Sequence, residues 1–171
     1  METQKLPTGK FALNYGIALG AVMILITVVL YVTGMALEGI QWPNYLYYLI
    51  FPTIIIYAIN QYKKKNDNIL SLGDALKVGV AIAVISALVY VIYGLIFNYY
   101  IDPDFMEKMT EVTGEKMMEN PNADPEIVEQ QLEMMKKFQN PILGSAIWVA
   151  FSAIFGLIYS LISGLIMKRE A

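Results

Sequence analysis

Four long stretches without a single charge constrain this chain more than any other feature. Residues 11–37, 39–62, 78–101 and 138–167 hold no Asp, Glu, Lys or Arg. A helix needs about 20 mostly apolar residues to cross the hydrocarbon core of a bilayer. Each run is long enough. The 171 residues are 57% hydrophobic and only 16% charged, against roughly 25% charged in an average soluble domain. The expected object is an all-α, polytopic membrane protein. It has four transmembrane helices, at about 11–37, 42–62, 74–100 and 141–167. They form one membrane domain spanning residues 1–171, with a helical insertion at 102–140 between helices three and four.

The distribution of basic residues sets the expected topology. Lys5 and Lys10 precede the first run. Lys63, Lys64, Lys65 and Lys77 lie between the second and third, and Lys168 and Arg169 follow the fourth. If four helices thread back and forth, all eight fall on one side, which the positive-inside rule makes cytoplasmic. Both termini then sit inside. The other side holds Glu38 and a segment of ten acids with four lysines. The first run is much longer than the h-region of a signal peptide, about 7–15 residues, so it reads as an uncleaved anchor.

Small residues recur at helical spacing in the spans. Ala12, Gly16 and Gly20 form one stripe and Gly79, Ala83 and Ala87 a second. Ser152, Gly156, Ser160 and Gly164 form the longest. Lipid supplies no hydrophobic drive between helices, so small residues that permit close approach take its place. The span-four stripe reads as the tightest contact. Packing inside the chain and homodimerisation are both open. Trp42, Tyr45, Tyr47 and Tyr48 read as an interfacial aromatic belt. Pro52 reads as a helix kink. Ser71 and Asp74 stand at capping-box spacing ahead of span three. Ala12-Leu13-Asn14-Tyr15-Gly16-Ile17-Ala18 shares four of seven residues with Ala75-Leu76-Lys77-Val78-Gly79-Val80-Ala81. This raises the prospect of two helical hairpins related by an axis along the membrane normal.

Only residues 102–140 have soluble character. Asp102-Pro103, Asp124-Pro125 and Asn140-Pro141 each place a capping side chain before a proline whose missing N–H costs nothing at a helix start. They predict a helix from 103 to about 118, a second from 125 to about 139, and the start of span four. Phe105, Met106, Met109 and Met117 lie on a broad face of the first helix. Leu132, Met135 and Phe138 lie on that of the second. These seven residues form a candidate partner-binding face. Glu107, Glu111, Glu115 and Glu119 mark the opposite, solvated face. The insertion reads as a hairpin capping the outer mouth of the spans.

Much chemistry is excluded. Without Cys there is no disulfide or thiolate, and without His the usual general base and metal ligand are both missing. Six of the ten methionines fall in the insertion. Thioethers suit Cu(I), but with no stronger ligand nearby they read as adaptable packing or partner contacts. No metal or cofactor is expected. No ionisable residue lies deep in a span, as a proton relay would need. The remaining polar groups there include Asn98 and the hydroxyls of Tyr57, Tyr90, Tyr93 and Tyr159. No nucleophile–base pair or phosphate loop is present, so no enzyme is expected. The run Lys63–Lys65 reads as a topology signal and anionic-lipid contact rather than a nucleic-acid site.

Three segments together carry a family resemblance. They are Lys10-Phe11-Ala12-Leu13-Asn14-Tyr15-Gly16, Ser71-Leu72-Gly73-Asp74-Ala75-Leu76-Lys77-Val78-Gly79, and the insertion rich in Met and Glu. The chain resembles an uncharacterised bacterial family of four-helix inner-membrane proteins, catalogued as domain of unknown function 4199. The resemblance covers nearly the whole chain. It implies a bacterial cytoplasmic-membrane location and the same four-span layout, and it carries no catalytic residue. The expected role is a non-enzymatic membrane protein that binds a protein partner or controls assembly through the outer hairpin. The alternative is a small transporter or channel subunit.

Overall fold

Apolar side chains spread around whole helices, rather than along one stripe, organise the structure. The computed structural model describes residues 7–38 and 42–169, without the side chains of Pro43, Asn44 and Phe138. Among these residues every regular element is helical: α1 Thr8–Val32, α2 Trp42–Lys65, α3 Leu72–Ile96, α4 Phe105–Met118, α5 Pro125–Phe138 and α6 Pro141–Met167. Three helical stretches are long and apolar enough to cross a membrane: Thr8–Val32, Leu72–Ile101 and Pro141–Met167. α2 has the length, but its tyrosines, Asn60, Gln61 and terminal lysines keep it more polar than the other three. Outward-facing Leu25, Val29, Ile92, Ile158 and Ile166 form a surface that suits lipid and not water.

α3 is the centre of the assembly. It packs along α1 on one side and α6 on the other, while α2 lies more lightly against all three. Glycines set the close approaches. A Cβ built on Gly16 would stand 2.6 Å from Ile85 Cβ, and one on Gly20 2.8 Å from Val89 Cβ. On the opposite side of α3, a Cβ on Gly156 would strike Ala83, and one on Gly79 would strike Ser160. Gly164 stands equally close to Leu72 and Ala75. Ser152 and Ser160 are buried, and the Ser160 hydroxyl donates back to the Gly156 carbonyl. The α6 stripe is thus filled by α3 within the chain.

This packing corrects the internal-repeat reading. Gly16 and Gly79 hold matching places in the two similar segments. Gly16 faces α3, whereas Gly79 faces α6 and Ile55. Two hairpins related by a two-fold axis would keep those environments alike.

The helix ends show how local chemistry sets boundaries. Ser71 caps α3: its hydroxyl accepts from the Asp74 N–H at 3.1 Å and donates to the Asp74 carboxylate at 2.7 Å. Asp124 and Asn140 cap α5 and α6 through their Oδ1 atoms, each accepting from an N–H at 3.0 Å. Several boundaries differ from expectation: α1 starts at Thr8 and not 11, α2 runs on to Lys65, α3 starts at Leu72, and two further shifts have a visible cause. α1 stops at Val32, five residues short, because Gly34 takes φ +76° and the chain turns. α4 starts at Phe105 and not Pro103, because Asp102 spends its carboxylate on tertiary contacts instead of a cap. Between them, α3 ends in a π-helical turn, Phe97–Ile101, closed by Asp102 N–H to Phe97 C=O at 3.0 Å. Such turns recur where a helix must be redirected at a functional site.

Charge divides the molecule into two ends. At the basic end Lys65 lies over the Phe11 ring, 5.7 Å from its centroid, and Phe11 meets Tyr62 edge to face at 5.4 Å. Two backbone hydrogen bonds of 3.0 Å pair Leu70 with Arg169, fastening the α2–α3 link to the end of α6. The acidic end carries the α4–α5 hairpin.

Candidate functional site: the hairpin and the cavity beneath it

The hairpin is tied to the long helices by polar contacts at its base. The Tyr31 hydroxyl donates to Asp102 Oδ2 at 3.2 Å, and Lys108 Nζ meets Asp102 Oδ1 at 3.1 Å. Lys116 Nζ donates to the Glu38 carbonyl. The hydrogen bond to Asp102 raises the pKa of Lys108. The stability this pair contributes is therefore present below the ordinary Lys pKa of about 10.4. It is lost as pH rises through the raised folded value.

Within the hairpin, α4 and α5 meet at Gly114, where an added Cβ would lie 2.9 Å from Leu132 Cδ1. Thr110 and Val128 are buried in the same seam. Gln139 Nε2 donates to Thr110 Oγ1 at 2.7 Å, closing the base of α5 on α4.

The seven residues of the candidate face are distributed as follows. Phe105 packs edge to face on Tyr31 at 5.4 Å and on Phe97 at 5.3 Å. Met106 and Met109 line a cavity beneath the hairpin. Leu132 fills the seam at Gly114, and Met117 and Met135 are half-buried. The side chain of Phe138 lies outside the described residues. The apolar side chains most open to solvent on the hairpin are instead Met118, Ile127 and Met134, with Met106 at its edge. Glu107, Glu111, Glu115 and Glu119 are all exposed.

The cavity has a volume of about 400 Å³. Its walls come from α1, α3, α4 and α6 and include Tyr31, Tyr90, Tyr93, Phe97, Phe105 and Trp148. A second cavity of about 380 Å³ shares Thr27, Leu30, Tyr90 and Trp148 with the first and continues to Met23 and Ile26. A third, of about 200 Å³, lies between α2 and α6 around Pro52, Phe155 and Tyr159. Trp148 lines all three and stacks near Tyr47 and Tyr90, with centroids 5.5 and 5.6 Å away. The Tyr90 and Thr27 hydroxyls hydrogen-bond at 3.2 Å across the α3–α1 seam.

The four tyrosines singled out in the sequence do not form one hydroxyl cluster. Tyr57 is exposed, Tyr90 and Tyr93 neighbour each other, and Tyr159 packs with Phe51 and Phe155. Sequence reasoning missed Trp148 as the hub. A lone tryptophan inside an apolar run, away from any interface, was the available signal.

These features define a helical protein with three helical stretches long and apolar enough to cross a membrane and a polar helical hairpin over an aromatic cavity. The family model described as "Protein of unknown function (DUF4199)" matches residues 14–169, and the chain belongs to that family. No curated protein and no solved structure matches it.

Proposed function

We propose that this is a non-enzymatic bacterial inner-membrane protein with four spans, α2 being the fourth, whose hairpin docks a protein partner on the periplasmic side. One observation carries the reading: Met118, Ile127 and Met134 stay exposed, by 53%, 52% and 61%, on a hairpin whose own seam is already packed at Thr110, Gly114 and Val128. Adaptable thioethers beside an acidic face suit a protein surface with apolar and basic groups. A photo-crosslinking residue at position 134 should yield a discrete protein adduct in native membranes. Ile127→Glu should abolish that adduct without changing the melting temperature in detergent. A variant crosslinking only to lipid would end the proposal.

Both termini are then cytoplasmic. Lys65→Cys should resist a membrane-impermeant thiol reagent in intact spheroplasts, while Asn120→Cys should label. The native chain has no cysteine to interfere, and the reverse pattern would overturn the orientation. The cavities favour a second reading, a small transporter or channel subunit that takes up a solute at the acidic end.

A further inference from the structure

The basic end gathers cations from parts of the chain that lie far apart in sequence. Lys65, at the end of α2, sits over the ring of Phe11, the neighbour of Lys10 in α1. Phe11, Tyr62 and Leu70 belong to one buried cluster, and Met167 packs against it. The backbone pairing of Leu70 with Arg169 then sets Lys168 and Arg169 beside the same cluster. Lys10, Lys64, Lys65, Lys168 and Arg169 are all exposed. Among the described residues none of the five forms an ion pair. The described acids at this end are Asp67 and Asp74, and Asp74 is buried with its carboxylate on the Ser71 hydroxyl. Helix dipoles account for cations at the ends of α2 and α6, but Lys10 lies in the first turn of α1, where a cation is unfavourable. Uncompensated positive charge of this kind attracts an anion from outside the fold.

Two chemistries meet at this surface. Within two helical turns of the cations, Leu13 and Ile17 of α1 and Leu165 and Ile166 of α6 are exposed. A soluble anion would use the charges and leave that hydrocarbon in water. A phospholipid uses both, with its phosphate at the cations and its chains along the apolar faces. Arg169 is the only arginine in the chain, and its planar fork matches two phosphate oxygens at once. Its backbone is held to Leu70 by two hydrogen bonds of 3.0 Å, so the fork rises from a fixed base. We infer that the basic end is a docking surface for anionic phospholipid headgroups, formed by the start of α1, the α2–α3 link and the end of α6. The inference rests on the membrane reading and not on a partner for the hairpin.

Lipid selectivity tests it. The full chain is reconstituted in phosphatidylcholine bilayers with a trace of spin-labelled lipid, and the lipid whose motion the protein restricts is measured by electron paramagnetic resonance. Spin-labelled phosphatidylglycerol should associate severalfold more strongly than spin-labelled phosphatidylcholine, and added salt should reduce the difference. A cation beside an anionic lipid contributes a preference of about fivefold, so Lys64→Gln combined with Arg169→Gln should bring the two lipids close to equal. Both side chains are exposed, and Arg169 meets Leu70 through backbone alone, so this variant should keep its fold. Lys136→Gln combined with Lys137→Gln removes the same charge at the acidic end and should leave the selectivity intact. Equal association of the two lipids with the wild type would overturn the assignment alone. A bilayer in which neither lipid is restricted would overturn it together with the membrane reading. Selectivity kept by the basic-end variant and lost by the acidic-end one would also overturn it. Inorganic phosphate that abolishes the selectivity where sodium chloride of equal ionic strength does not would show a site for free phosphate instead of lipid.

Discussion

Replacing Gly156 with leucine should unfold the α3–α6 pair at markedly lower temperature or denaturant. The first carbon added at this position would strike Ala83, with the Gly79 carbonyl 3.4 Å and Val80 Cα 3.5 Å away. Two of those three neighbours are backbone and cannot rotate aside, so relief requires the helices to separate. Overpacking usually costs about 1–3 kcal/mol, and leucine adds three further carbons to a seam that already rejects the first. Gly156→Leu should therefore lie at or beyond the top of that range. Alanine, which normally improves helix propensity over glycine by roughly 1 kcal/mol, should still destabilise here. Gly94→Ala supplies the contrast, because its Cβ meets open space and the propensity gain is then unopposed. Unfolding in detergent, followed by circular dichroism, separates the two. Wild-type melting of Gly156→Leu would mean that α3 and α6 do not pack as described.

The positions of the long helices were legible because lipid leaves the backbone few options. A charge-free run of this length must satisfy its hydrogen bonds internally, and a helix does so within one segment. α6 runs from Pro141 to Met167, the span read from its proline cap and its following lysine. The small-residue stripes were legible for a related reason, since close approach is what such a stripe contributes in this medium. Less visible was which helix each stripe would meet. Gly16 and Gly79 look alike in sequence and face different partners, because partner choice depends on the whole arrangement around α3. Asp102 misled differently: Asp before Pro is a sound capping signal, yet Tyr31 and Lys108 compete for the same carboxylate and win. Asp74 read as a cap, and the structure adds that it is buried at the basic end. The cavity was least visible, since empty space is a property of several helices together and no single segment encodes it.

Tyr62→Ala is the second change expected to have a large effect, and it bears on whether anything passes through the protein. Tyr62 is fully buried at the basic end of α2, against Phe11 and beside the buried Ile59 and Leu70. Asp74 lies within electrostatic reach of its ring hydroxyl. Truncating a large aromatic in such a setting costs about 3–5 kcal/mol, because the rigid helices around it collapse only in part. Tyr62→Phe keeps the volume and gives up the hydroxyl's interaction, a loss of about 0.5–1.5 kcal/mol. The order of melting temperatures should be wild type, then Phe, then Ala. None of the three cavities described is lined by Phe11, Tyr62 or Leu70. Those three cavities lie away from the basic end, where Phe11 and Tyr62 are in ring contact. Proteoliposomes of the wild type should therefore hold a small-solute gradient as well as empty liposomes do. A wild-type leak would favour the channel reading. Tyr62→Ala melting with the wild type would show that the basic end is not the packed seal these contacts describe.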